Sequence, residues 1–65
     1  MTVEELAGVL YEETKVEVSL NYDLVFAGVA EEAKNCKYKE KNVKEVYITP
    51  DGSTLIIEIG ENAKQ

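Results

Sequence analysis

Five of the chain's seven lysines, a tyrosine and its one cysteine fall within KNCKYKEKNVK, residues 34–44. Lys34, Lys37, Lys39, Lys41 and Lys44 could each neutralise a phosphate. Tyr38 among them could stack on a base, the combination that grips single-stranded nucleic acid. Cys36 in the same segment raises the question of a reactive thiol. Both ideas meet objections in the same sequence. The chain has no histidine, so Cys36 has no imidazole to serve it and the commonest general base is missing. All seven cations are lysines, so no arginine supplies a bidentate phosphate clamp. Four or five phosphate contacts against a net charge of −6 would bind weakly at physiological salt. Direct nucleic-acid binding is not expected.

The carboxylates offer pairs at Glu4–Glu5, Glu12–Glu13 and Glu31–Glu32. Neighbours on a helix diverge by about 100°, so such pairs do not converge on one metal or substrate. No alternating acidic run forms a calcium loop, and no glycine-rich phosphate loop is present. One cysteine without histidine cannot build a structural zinc site. No catalytic, metal or cofactor-binding residue is assigned, and no cofactor is expected.

The elements that would position these residues are legible from caps and periods. MTVEELAGVL opens with a T-x-x-E capping box, Thr2 with Glu5. Val3, Leu6, Ala7 and Leu10 then form one apolar stripe, predicting a helix over about residues 2–12. KVEVSL switches to period two, with Val16, Val18 and Leu20 on one face and Lys15, Glu17 and Ser19 on the other. Asn21, Tyr22 and Asp23 read as a turn, and LVFAGV as a second strand whose Gly28 signals a bulge or a close approach. AEEAKN suggests a single helical turn. VKEVYIT and STLIIEI, joined by Pro50-Asp51-Gly52, make the clearest hairpin. Val46 and Ile48 share a face there, as do Leu55, Ile57 and Ile59. ENAKQ reads as a polar tail from about residue 61.

The expected fold is therefore α+β: an N-terminal helix packed on a four-stranded, mainly antiparallel sheet of two hairpins, in the order α-β-β-short α-β-β. One short helix cannot cover four strands, so Tyr47, Ile56, Val25 and Ala27 are expected on an under-covered face, where a second copy could pack.

Sixty-five residues with 45% hydrophobic and 31% charged composition make one small folded domain, 1–65. Such a chain buries only roughly 60% of its unfolded surface, which leaves close packing or self-association to stabilise it. A single free thiol and no apolar run of the roughly 20 residues that span a bilayer fit a cytoplasmic protein. Charge is uneven: residues 1–33 carry −7, residues 34–44 carry +4 and residues 45–65 carry −3.

The opening MTVEEL, the valine-rich strand, LVFAGVA and the closing VKEVYITPDGSTLIIEI resemble short uncharacterised proteins of Gram-positive bacterial phages and mobile elements. That resemblance implies small size and acidity, and brings no assigned activity or residue role with it.

The expectation for function is a non-enzymatic protein-interaction module whose partner is a protein or a second copy, met through a sheet face or edge. Its candidate residues are Tyr47 and Ile56, with Lys34, Lys37, Tyr38, Lys39, Lys41 and Lys44 as a second candidate surface. The lysines have a plainer reading as a solvated connector between hairpins, and a third as the basic half of a contact with another copy's acidic helix. The alternative function is an acidic inhibitor of phage type that occupies the basic groove of a host nucleic-acid-binding protein.

Overall fold

The computed structural model describes residues 1–62. The chain runs α1 (Val3–Gly8), β1 (Lys15–Leu20), β2 (Asp23–Val29), α2 (Ala30–Ala33), β3 (Lys41–Ile48) and β4 (Leu55–Asn62). The four strands form one sheet in the order β2-β1-β4-β3. Both expected hairpins are antiparallel, and they join through a parallel pairing of β1 with β4. The edge strands β2 and β3 consequently run in the same direction, linked by α2 and the lysine-rich connection. Among the described residues, no helix is long and apolar enough to cross a membrane.

The capping box at the start of α1 is present in both halves. The Glu5 N–H donates to the Thr2 hydroxyl at 3.2 Å, and the Thr2 N–H donates to the Glu5 carboxylate at 2.9 Å. The helix ends at Gly8, not near residue 12. Its last turn tightens into i→i+3 bonds, Val9 N–H to Leu6 and Leu10 N–H to Ala7, a usual way for a helix to satisfy its final carbonyls. A β-branched valine after a glycine gives propagation little support. Val3 and Ala7 are fully buried, while Leu6 and Leu10 are half-buried.

Val16, Val18, Ile57 and Ile59 form the sheet side of the core, packed against Val3, Ala7, Ala30 and Ala33. Two alanines let the single turn of α2 lie close to the sheet, where a larger side chain would hold it off. A Cβ at Gly28 would meet the Glu32 carboxylate and come within 3.1 Å of the Phe26 ring, so those side chains would have to shift. Glu32 uses that carboxylate to accept the Val29 N–H at 3.1 Å.

Two local features depart from the simple alternation expected of the strands. β1 and β2 lose register between Val18 and Ser19, where Val18 pairs with Phe26 but Ser19 with Leu24. The extra residue, Val25, packs against the core instead of lying on the open face. Leu20, expected inward with Val16 and Val18, is 36% exposed, and Ser19 is buried. The hairpin turn itself has two residues, Asn21 and Tyr22, with φ of 55° and 66°, the mirror-image turn that matches strand twist. At the other end of the chain, residues 61 and 62 of the expected tail belong to a strand. β4 continues to Asn62 opposite Lys41, and the rest of that tail lies outside the described residues.

Candidate functional site

The lysine-rich segment is a folded connection. Successive turn bonds carry it from α2 to β3: Cys36 N–H to Ala33, Lys39 N–H to Cys36 and Lys41 N–H to Tyr38. The Lys39 carbonyl accepts the Glu4 N–H at 2.9 Å, which ties the segment to the first turn of α1. Tyr38 is half-buried against the core, and the Lys37 ammonium sits 5.5 Å from its ring centre. The cations are distributed over more than one element. Lys34 lines a cleft of about 500 Å³ with Ala7, Leu10, Tyr11, Glu12 and Glu31. Lys37 is exposed and Lys39 half-buried. Lys41 and Lys44 belong to β3, which begins two residues before the VKEVYIT run. Lys44 lies alongside Gly60 on the neighbouring strand. Cys36 is a free, half-buried cysteine, and no group of three or more His, Cys, Asp or Glu able to hold a metal ion occurs among the described residues.

Tyr47 and Ile56 are brought together. They pair directly across β3 and β4, on the face opposite the helices. Glu17 and Ala27 extend the same row across β1 and β2. The adjacent row is Leu24, Ser19, Glu58 and Glu45, and it holds the one arrangement that alternation alone does not reveal. Glu58 is 1% exposed although no helix covers this face. Its carboxylate accepts the Ser19 hydroxyl, and also the Tyr22 N–H at 3.2 Å. The Tyr22 hydroxyl donates to Glu45 at 3.1 Å. Tyr22 therefore reaches across the row with its N–H on one carboxylate and its O–H on the other. Two glutamates directly opposite would repel; here each has its own donor. Its bond to Glu45 and that negative charge push the Tyr22 hydroxyl pKa above its ordinary value of 10.0. The available signal was a single acid inside the apolar run LIIEI, on the strand face opposite Leu55, Ile57 and Ile59.

Apolar surface is also left open at the outer edge of β3. Val46, Tyr47 and Ile48 are 42%, 40% and 60% exposed. Val46 pairs with Ile57 and Ile48 with Leu55, so both lie on the helix-bearing face, beyond the reach of a six-residue helix. The first half of the same edge is occupied. Thr2 bridges Asn42, and the Val43 N–H donates to the Met1 carbonyl at 2.7 Å. Both register shifts of β3 fall in that first half, between Lys41 and Glu45. Bulges and lysines are common devices for blunting an edge; from Glu45 to Ile48 neither is present. The β3–β4 turn beyond it is held by Asp51, which accepts the Thr49 hydroxyl at 2.6 Å and the Ser53 N–H at 3.0 Å. Compared with known proteins, the chain matches no family model, no curated protein and no solved structure.

Proposed function

We propose that this protein is a non-enzymatic interaction module that takes a protein partner through the β3 edge and the sheet surface beside it. The observation that carries this reading is the run Val46-Tyr47-Ile48, three large apolar residues in succession, exposed on an edge strand. Exposed edges with apolar flanks add a strand from a partner, whose backbone supplies hydrogen bonds while alternate side chains supply specificity. The lysines serve this reading as a folded connector, and a cytoplasmic setting fits its free thiol. The loose likeness to short phage and mobile-element proteins fits it too, since a chain of this size acts most simply by occupying another protein's surface.

The reading is tested by placing a photo-crosslinking amino acid at position 47 and, as a control, at position 9 on the helix side. Irradiation in cell extract and with the pure protein is expected to give protein adducts at 47 and not at 9. No adduct at 47 in either setting would remove the reading. The acidic-inhibitor alternative has charge alone in its support, and its acids are spread over both sides of the sheet, with Glu17 and Glu45 opposite Glu31 and Glu32.

A further inference from the structure

We infer that the partner of the β3 edge is a second copy of the same edge, joined antiparallel about Tyr47 to give a continuous eight-stranded sheet. The inference rests on the interaction reading above and adds the occupant and the register.

The hydrogen-bonding direction of each residue follows from the β3–β4 ladder. The Thr49 N–H bonds inward to the Thr54 carbonyl at 3.0 Å. Tyr47, two residues back, likewise faces β4 opposite Ile56. Alternation then points the N–H and C=O of Val46 and Ile48 outward from the sheet. A two-fold axis perpendicular to the sheet keeps each face on its own side. It therefore pairs residues whose numbers sum to an even value.

Three such registers place the exposed run against itself. Centring on Val46 sets Lys44 against Ile48, a charge against an apolar side chain. Centring on Ile48 sets Val46 against Pro50, which has no N–H to give. Centring on Tyr47 sets Val46 against Ile48 twice, each pair exchanging two outward hydrogen bonds, and Tyr47 against Tyr47 on the open face. Only this register sets Val46, Tyr47 and Ile48 against one another and against no charge or proline.

It also fits at its ends. Pairing extends from Glu45 to Thr49 of the second copy and stops there, because Met1 and Thr2 already cover the edge beyond. At that limit Pro50 turns the second strand away. Lys44 then faces Pro50, whose chain neighbour Asp51 carries the opposite charge, at both ends of the interface. Five residues a side make a small contact, so the dimer is a concentration-dependent one.

The test is light scattering over a wide concentration range, at low and high salt, on the wild-type chain and Ile48→Lys. It is combined with oxidation of Cys36→Ser/Tyr47→Cys by oxidised glutathione. A mass rising towards two chains, lost in Ile48→Lys, is expected. In this register the two position-47 Cα atoms are about 4.5 Å apart, within disulfide reach. Cys36→Ser/Tyr47→Cys should cross-link readily, and Cys36→Ser/Ile48→Cys should not, because position 48 faces Val46 of the second copy. Ile48 is already more than half exposed, so the lysine leaves folding intact, as circular dichroism will show. A monomer at every concentration overturns the inference, as does a dimer untouched by Ile48→Lys or cross-linked equally from position 48. A monomer that still gives adducts with other proteins from position 47 overturns the second copy alone and leaves the interaction reading standing.

Discussion

Glu58 shows how one side chain can join parts of the fold that are far apart in sequence. Its carboxylate reaches Ser19 on β1 and the N–H of Tyr22 in the turn, 39 and 36 residues away. Glu58→Ala leaves a buried hydroxyl and an N–H without their acceptor, at about 1–3 kcal/mol. Ser19→Ala/Glu58→Leu, which replaces both side-chain partners by apolar groups, should cost less than Glu58→Ala alone in a urea titration. If the double variant is the weaker of the two, the carboxylate is not acting through these bonds. Asp51 shows the same chemistry at the surface. The hydroxyl of Thr49, then the N–H and hydroxyl of Ser53, hold its pKa at about 2 against an ordinary 3.8. A carboxylate whose pKa is lower in the folded state stabilises above the unfolded value and loses that contribution as pH falls through the folded one. Folding stability of the wild type should thus drop between about pH 4 and pH 2 more than that of Asp51→Asn, with urea midpoints as the readout. Parallel curves would show that the turn does not depend on this charge.

The elements were legible in the sequence wherever a local signal specifies them. Thr2 and Glu5 announce α1, Asn21 and Tyr22 a turn, and Pro50-Asp51-Gly52 the second hairpin. What was not legible depends on partners distant in sequence. The parallel seam of β1 and β4 has no local signature, because Val16 opposite Leu55 and Val18 opposite Ile57 read the same in any order of strands. The bulge that turns Val25 into the core lies in the β1–β2 pairing and likewise has no local signature, and the burial of Glu58 had only the lone acid in LIIEI to announce it. The candidate site divided the same way. Tyr47 and Ile56 could be placed together from alternation, whereas the lysines, one run in sequence, are divided between the connection and β3. The short α1 leads to a prediction at this scale. Six residues are far below the length at which a helix stands alone, so its cap and its docking must hold it. Thr2→Ala should cost about 1 kcal/mol and loosen the Glu4 N–H on the Lys39 carbonyl with it. Amide exchange at Glu4 and Glu5 should accelerate together; if Glu4 stays protected, the connection holds α1 without the cap.

At the scale of the whole molecule, the sheet is two hairpins whose stability depends on one seam. Val16, Val18, Ile57 and Ile59 line that seam at 1% exposure or less, and closing it brings together segments about forty residues apart. Contacts of such separation form only when most of the chain is in place. The inward amides of β1 and β4 should therefore exchange only through global unfolding, and their protection should equal the stability measured by urea. The β3 edge should behave in the opposite way. The amides of Val46 and Ile48 point out of the sheet and should exchange fastest in that strand, while Tyr47 between them stays protected by β4. Raising the protein concentration then separates two pictures of the edge. Pairing with a second copy slows Val46 and Ile48, leaves Tyr47 unchanged and leaves the central strands at their global value. Exchange of Val46 and Ile48 that is independent of concentration would mean that water, and not another strand, occupies the edge.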